Sequence, residues 1–287
     1  MRFTNEHNLP LRIIKQLGQF HKPDSKRISI THLIGCPLER TLLIERWDDV
    51  ELDYSDFLST IIGISVHERQ DKLSRGDDDI ESETKFEDKV GLFTVVGRAD
   101  NYDNKDKIIR ETKVKSINAL KYKDFLKEVE KQLNIYAWQR RKRGQEVKGL
   151  ELDVYFRDWV EWEADKAATI RFAVMKVGRK TAVKTADTKD QAEDFILQQD
   201  KVKQDSSAFY EYSIEERGGK NDYPPIPVQH SIPIPLWTFE KQQEFVEGQV
   251  EYFTLCPECC EEQCKWRNNL RCKKYCKARS VCVKGKK

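Results

Sequence analysis

The stretch that decides the fold runs from residue 93 to residue 113 and reads FTVVGRADNYDNKDKIIRETK. Apolar and polar residues alternate on either side of a polar turn, which predicts paired antiparallel strands over 92–99 and 107–114. Residues 80–87 show the same alternation and would supply the first strand of a meander. This segment therefore predicts the sheet around which the rest of the chain is organised.

Three charged residues fall at matching places on these strands. Asp100 follows Gly97-Arg98-Ala99 at the end of one strand, and Glu111 and Lys113 lie two apart on the next strand and so share a face. Carboxylates on adjacent strands can share a divalent cation, which neutralises a phosphodiester and activates water. The pattern indicates a hydrolytic metal site in which Lys113 orients water or stabilises negative charge. Alternatively, Asp100 is a turn residue and the other two form a solvated strand face.

Helices are predicted on both sides of the meander. Ser29 caps a helical stretch around Cys36-Pro37, residues 56–73 and 119–143 show helical spacing of apolar side chains, and residues 150–156 alternate as a strand does. Helix, meander, helix and strand in this order predict an α/β fold with a mixed central sheet flanked by helices.

Two of these helices add suitable side chains to the candidate site. His67 lies on the first, and imidazole suits manganese-type ions. Gln132 and Tyr136 are four apart on the second and therefore share one helix face. Thr112 points away from the site, but its backbone carbonyl could still ligate a metal. A lone histidine is usually a packing or surface residue, so it is the fixed order of all these elements that favours a site.

The chain changes character after residue 156. Residues 169–184 predict two strands around a basic turn, followed by a helix, and this part is interpreted as an insertion. Residues 218–236 are rich in Gly and Pro, which predicts an extended strap, and a helix over about 238–253 then leads into the cysteines. The predicted organisation is a single domain over 1–287, with a core at 29–156, an inserted strand-turn-strand region and strap at 157–235, and a helix with a cysteine-rich metal-binding segment at 236–287 that packs on the N-terminal helix.

The cysteines are concentrated at one end of the chain. Seven of the eight lie between residues 256 and 282. The chain has no apolar run of membrane-spanning length and its first residues do not resemble a signal peptide, so a cytoplasmic protein without membrane partners is expected. In a reducing cytosol such a cluster suggests metal ligands rather than disulfides. Four thiolates hold either an iron–sulfur cluster or Zn²⁺. One possibility is a zinc module that uses Cys256, Cys259 and two of the later cysteines and leaves Cys36 as a buried thiol.

The charge balance gives little support for or against nucleic acid. The formal net charge is +2 although 35% of the residues are charged, so any binding of DNA must rely on local basic patches. The candidates for such a patch are Lys115, Arg140, Arg141, Arg179 and Lys180. The helix dipole offers a structural explanation for Arg140 and Arg141, because positive residues are favoured at a helix C-terminus.

The order of the motifs, from His67 through 97–100 and 111–113 to 132–136, resembles that of PD-(D/E)XK nucleases of the RecB type. This resemblance implies a PD-(D/E)XK core and a DNA nuclease that uses Mn²⁺ or Mg²⁺. The metal ligands that it implies are His67, Asp100, Glu111 and the Thr112 carbonyl. It also implies that Lys113 is catalytic and that Gln132 and Tyr136 assist at the DNA or at the site.

The cysteines make the chain similar to the four-cysteine branch of this family, which includes CRISPR-associated nucleases and phage relatives. Cys36-Pro37 matches the early cysteine of that branch, and residues 172–180 are similar to a stretch found in phage members. The resemblance implies a 4Fe-4S cluster bound by Cys36, Cys272, Cys276 and Cys282. The branch commonly has two residues between the first pair of late cysteines, whereas this chain has three.

The implied function is that of an exonuclease acting on DNA ends or single strands in recombination or CRISPR spacer acquisition. Its implied partners are DNA and proteins of recombination or CRISPR adaptation, in the host cytoplasm if a phage or mobile element encodes it. The alternative is a non-catalytic nucleic-acid-binding metalloprotein with a zinc-type cysteine module. The intact set of Asp100, Glu111 and Lys113 favours the enzyme.

Overall fold

The computed structural model describes residues 1–17, 20–121, 123–161, 171–178, 181–203, 211–217, 229–255, 272 and 276–282. The chain folds into two compact units. The first comprises Met1–Val114, Lys123–Val154 and Ser231–Lys287, and the second comprises Lys115–Tyr122 and Tyr155–His230. The second unit covers most of residues 157–235, the predicted insertion and strap.

The strands of the described chain are β1 (Arg2–Thr4), β2 (Arg27–Ser29), β3 (Glu51–Asp53), β4 (Ile80–Val90), β5 (Phe93–Asp103), β6 (Ile108–Lys115), β7 (Gly149–Phe156), β8 (Arg171–Lys176), β9 (Lys184–Ala186), β10 (Tyr212–Arg217) and β11 (Gln229–Ile234). Its α-helices are α1 (Leu11–Ile14), α2 (Ile30–Leu33), α3 (Pro37–Glu45), α4 (Leu58–Ser74), α5 (Lys123–Arg141), α6 (Lys189–Lys203) and α7 (Phe239–Leu255). None of the described helices combines the length and apolar character needed to cross a bilayer.

The central sheet is mixed. Its strand order is β11-β7-β6-β5-β2, and β4 pairs with β5 as well. β2 runs parallel to β5, whereas β4 runs antiparallel to it from Ile80↔Asp103 to Val90↔Phe93. The predicted α/β class with a mixed sheet flanked by helices is therefore confirmed, and the predicted meander corresponds to β4, β5 and β6.

The pairing of β5 changes along its length. β5 pairs with β2 through Thr94–Val96 and with β6 through Asn101–Asp103. Residues 97–100, which carry the Gly-x-x-Asp motif, lie between these two pairings. The motif therefore lies where β5 leaves one neighbouring strand and has not yet joined the other.

Helix α5 is buried on all sides along its second half. Every residue from 132 to 140 is buried. On the sheet side, a Cβ on Gly97 would overlap Gln139 Oε1 and lie 2.6 Å from Ile30 Cδ1, so β5 and α5 approach closely only because residue 97 is glycine. On the other side, Asn134 Oδ1 accepts a hydrogen bond from the Gln242 side chain of α7 at 3.1 Å. The helix thus lies between the sheet and α7.

The C-terminal residues pack on the N-terminal part of the first unit. Cys276, Ala278 and Val281 form one buried cluster with Leu43 of α3 and Leu52 of β3. The Glu51 amide also donates a hydrogen bond to Ser280 Oγ at 3.0 Å. The two ends of the chain therefore meet in one hydrophobic core.

The second unit contains its own small sheet. β8 pairs antiparallel with both β9 and β10, and Val174 of β8, Ala186 of β9 and Ala192 of α6 form a buried cluster. The predicted strand pair and following helix are present, although the second strand begins at Lys184 rather than at residue 181.

The strap predicted over 218–236 is partly wrong. Residues 229–234 form β11, the outermost strand of the central sheet, and residues 218–228 lie outside the described chain. An edge strand tolerates proline because one side of it has no ladder to complete, which explains how Pro233 is accommodated. Proline content alone therefore pointed to the wrong structure here.

Candidate metal centre

The Asp100 carboxylate continues the contact between β5 and β6 beyond the point where their backbone pairing ends. The last described backbone pair on this side is Asn101↔Arg110, and the Thr112 amide then donates a hydrogen bond to Asp100 Oδ2 at 2.7 Å. Thr112 is fully buried, and its hydroxyl has no hydrogen-bond partner among the described residues. This arrangement fixes the Asp100 carboxylate at the opening between the strands.

Glu111 is buried with only half of its carboxylate satisfied. Its side chain is 3% exposed, and Oε1 accepts hydrogen bonds from Gln132 Nε2 at 2.8 Å and from Lys113 Nζ. Oε2 has no hydrogen-bond partner among the described residues. A buried carboxylate oxygen without a donor carries a desolvation cost that a bound cation would offset.

Gln132 and Tyr136 hold Glu111 in place from α5. Gln132 Nε2 donates to the Tyr136 hydroxyl at 3.0 Å as well as to Glu111, so both of its hydrogens are used. Burial, followed by the nearby charge of Glu111, raises the pKa of Tyr136 well above its ordinary value, and the hydroxyl stays protonated. Both side chains are buried, and Gln132 contacts Glu111 directly whereas Tyr136 contacts it through Gln132.

His67 approaches the other oxygen of the same aspartate. Its Nδ1 lies 3.4 Å from Asp100 Oδ1, and it projects from α4, which forms over the predicted range. Burial lowers the pKa of His67, although the Glu111 carboxylate acts in the opposite direction. The imidazole is therefore held in the neutral form, which is the form that binds metals.

Glu83 belongs to this cluster, and sequence reasoning missed it. His67, Glu83 and Asp100 each offer a ligand atom, and these atoms lie within 4.8 Å of one another. Glu83 lies opposite Asp100 because Ser82 pairs with Asn101 and Thr84 pairs with Ala99. No local motif marks Glu83, so only the register of β4 against β5 could have found it.

The electrostatics of the cluster indicate an excess of buried negative charge. Burial, and then the charge of Glu111, raises the pKa of Asp100 to about 8, against the lowering effects of the Thr112 amide and Lys113. Burial alone would lower the pKa of Lys113, but the Glu111 carboxylate outweighs burial and raises that pKa above its ordinary value. Oxygen donors with one imidazole suit Mn²⁺ and Mg²⁺, so the residues present fit a divalent cation.

The interpretation of Arg140 as a DNA contact is wrong. Its side chain is 0% exposed, its Nη2 lies 3.0 Å from Glu81 Oε2, and its guanidinium lies 3.7 Å from the centre of the Tyr102 ring. Arg141 likewise donates to the Trp237 and Val147 carbonyls, at 2.8 and 3.0 Å. Because α5 is covered by both the sheet and α7, the arginines at its C-terminus serve the fold.

Of the remaining predicted DNA contacts, the structure describes Lys115. Lys115 is exposed at the end of β6. Arg179 and Lys180 lie outside the described residues. A basic surface for DNA therefore stays a prediction, with Lys115 as the member that the structure describes in an accessible position.

The structure places the predicted cluster cysteines where the two ends of the chain meet. Cys36 precedes the first turn of α3, which Pro37 begins, and Cys272 packs against Cys36 and Leu38. Cys276 and Cys282 follow Cys272 in the same C-terminal segment, and both are buried. Burial is the main cause that raises the pKa of the Cys276 thiol. Four further cysteines lie outside the described residues, namely Cys256, Cys259, Cys260 and Cys264.

Comparison with known proteins adds only information on the fold. No family model matches the chain, and no curated protein is similar to it. Solved structures with a similar fold include that of SSO0001, which aligns over 96% of each chain with a TM-score of 0.50 and 15% sequence identity. A likeness at this identity indicates a shared fold and not a shared activity.

Proposed function

We propose that this protein is a divalent-metal-dependent deoxyribonuclease with a PD-(D/E)XK core of the RecB type. The observation that carries the proposal is the buried Glu111 Oε2, which lacks a hydrogen-bond donor among the described residues while its carboxylate is held by Gln132 and Lys113. The ligands would be His67, Asp100, Glu111 and the Thr112 carbonyl.

The side chains around this position have the properties that phosphodiester hydrolysis needs. When bound, Mn²⁺ or Mg²⁺ neutralises the phosphate and lowers the pKa of the attacking water. Lys113 keeps its charge at neutral pH because its pKa is above the ordinary value, despite burial. It is therefore suited to stabilise negative charge that develops on the phosphate, and not to accept a proton as a general base.

We also propose that Cys36, Cys272, Cys276 and Cys282 hold a 4Fe-4S cluster. The contact of Cys272 with Cys36 and the burial of Cys276 and Cys282 support this, because a cluster at that place would join the two ends of the chain. A structural Zn²⁺ is the competing group, since both bind four thiolates.

The substrate proposal is DNA with free ends or single-stranded regions, processed in recombination or CRISPR adaptation. It rests on the motif resemblance, with exposed Lys115 as a candidate phosphate contact. The test is to incubate purified protein and Mn²⁺ with end-labelled linear single- and double-stranded DNA, circular DNA and RNA. We expect loss of linear DNA and persistence of circular double-stranded DNA.

The variants Asp100→Ala and Lys113→Ala should abolish this loss, whereas Glu87→Gln should not. Glu87 lies on β4 and pairs with Lys85 at 2.9 Å, so it is a matched carboxylate outside the candidate site. DNA binding without cleavage under all of these conditions would support the non-catalytic metalloprotein instead.

A further inference from the structure

We propose that Lys85 and Arg98 bind the sugar-phosphate backbone of the DNA strand that enters the candidate metal centre. This inference rests on the proposed function and deepens it, because it assigns a surface that positions the substrate. Neither residue is a candidate metal ligand, and neither is among the DNA contacts predicted from the sequence.

Lys85 and Arg98 lie directly opposite each other on β4 and β5. They project from the face of these strands that is turned away from α5, whereas Phe86 on the other face packs against two arginines of α5. The side chains of Lys85 and Arg98 are 55% and 66% exposed. Like charges that face each other across adjacent strands repel and destabilise the sheet. An anionic ligand bound between the two cations would remove this repulsion.

The nearby carboxylates do not balance the positive charge on this face. Glu87 Oε1 lies 2.9 Å from Lys85 Nζ and also accepts a hydrogen bond from the Arg27 guanidinium of β2. One glutamate oxygen thus serves two cations, while Arg98 is paired separately with Glu83. These three cations therefore share two carboxylates, and a DNA phosphate can neutralise the remaining positive charge.

Arg98 connects this face to the candidate metal centre. Its Nε lies 2.7 Å from Glu83 Oε2, and Glu83 in turn clusters with His67 and Asp100. The Glu83 side chain is 25% exposed, so the arginine is the more accessible member of this ion pair. A phosphate bound by Arg98 would lie beside the centre, and Lys85 on the adjacent strand would hold a neighbouring phosphate of the same DNA strand.

The two side chains suit a contact that positions DNA without reading its sequence. A guanidinium binds phosphate oxygens through paired N–H groups, and an ammonium binds them as a point charge. In the free protein Lys85 and Arg98 form partly exposed ion pairs, which contribute little net stability. A phosphate can therefore replace each glutamate as the partner of the cation, and the glutamates themselves make no contact with the DNA.

The experiment measures binding of a fluorescently labelled single-stranded oligonucleotide to the full-length protein over a range of salt concentrations, with Ca²⁺ in place of Mn²⁺ to slow cleavage. Arg98→Gln and Lys85→Gln should each weaken binding by about 3- to 10-fold and reduce the slope of log K against log salt by about 0.7, the share of one phosphate contact. Arg98→Lys keeps the charge but not the paired donors, so it should keep the slope and lose part of the affinity.

Two controls separate a DNA contact from a general effect of charge or packing. Arg2 is 74% exposed and is paired with Glu51 in a different sheet, so Arg2→Gln should bind DNA as the wild type does. Lys85→Gln should raise the KM for DNA in the presence of Mn²⁺ while the Mn²⁺ concentration for half-maximal cleavage stays unchanged. If Arg98→Gln folds poorly, Lys85→Gln and Arg98→Lys provide the test.

Salt slopes equal to that of the wild type in the folded glutamine variants would overturn the inference, as would an equal loss of slope in Arg2→Gln. Either result, together with Mn²⁺-dependent cleavage by the wild type, would leave the proposed function standing. Reduced slopes in a protein that cleaves no DNA with Mn²⁺ would support the binding surface and overturn the proposed function. A wild type that neither binds nor cleaves DNA would overturn both.

Discussion

The Thr112 amide donates a hydrogen bond to Asp100 Oδ2 at 2.7 Å, so a side chain takes the place of a backbone acceptor between β5 and β6. This contact holds Asp100 beside Glu111 and leaves its other oxygen facing His67. The candidate metal centre therefore lies within the sheet, at the place where two strands separate.

The first prediction concerns the buried charge of Asp100 in metal-free protein. The pKa of Asp100 is raised to about 8 from an ordinary value of 3.8, so the folded state binds its proton more tightly than the unfolded state. Its contribution to stability is therefore full below the ordinary pKa and is lost as pH rises toward 8. In a chelating buffer, Asp100→Asn should have a higher Tm than the wild type at about pH 8 and a similar Tm near pH 4.

Thermal unfolding with added Mn²⁺ completes this test. Mn²⁺ should raise the Tm of the wild type, because it binds the folded state, and should have little effect on Asp100→Asn. A difference in Tm between the two proteins that does not vary with pH would contradict the buried-charge explanation.

The second prediction concerns the close approach at Gly97. Gly97→Ala places a Cβ against Gln139 Oε1 and Ile30 Cδ1, so it should lower the free energy of unfolding by about 1–3 kcal/mol. The matched control is Gly248→Ala in α7, where a Cβ meets nothing within 4 Å and should stabilise the helix by about 1 kcal/mol. Urea unfolding measures both, and equal effects of the two substitutions would disprove the close-packing argument.

Local sequence was sufficient for the long elements of the fold. The strands predicted over 80–87, 92–99 and 107–114 correspond to β4, β5 and β6, and the helix carrying His67 corresponds to α4. Strict alternation and helical spacing are properties of neighbouring residues, so they can be recognised without knowledge of the partners.

Features that depend on distant partners could not be predicted in this way. β2 is three residues long and is defined by its parallel pairing with β5. Arg140 occupies a helix C-terminus, and only the packing of α5 between the sheet and α7 shows that it is buried. Glu83 required the register of β4 against β5. In each case the deciding information is a contact between segments far apart in the sequence.

The third prediction concerns Gln132 as a positioning residue. Gln132→Ala leaves Lys113 as the remaining hydrogen-bond donor to Glu111 among the described residues, so the Mn²⁺ concentration for half-maximal cleavage should rise by about 10- to 100-fold. Tyr136→Phe keeps the contact of Gln132 with Glu111 and should have a smaller effect. A Mn²⁺ titration of cleavage distinguishes this role from a structural one, since a lower Tm with an unchanged titration would indicate packing alone.

The fourth prediction concerns the cysteines. Anaerobically purified protein should be brown with broad absorbance at about 400 nm, where zinc thiolates do not absorb. Cys36→Ser should lose both its iron and part of its thermal stability. The loss of stability is expected because Cys36 and Cys272 join segments from opposite ends of the chain. Colourless protein with stoichiometric zinc would disprove the cluster, and full iron content in Cys36→Ser would exclude Cys36 as a ligand.

The central claim, a metal-dependent nuclease site at Glu111, is tested most directly by the cleavage rate of end-labelled DNA as a function of Mn²⁺ for the wild type, Glu111→Gln and Glu87→Gln. We predict cleavage by the wild type and Glu87→Gln that a chelator abolishes, and a rate at least about 100-fold lower for Glu111→Gln at saturating Mn²⁺. Cleavage by Glu111→Gln at the wild-type rate, or wild-type cleavage that a chelator does not affect, would contradict the account.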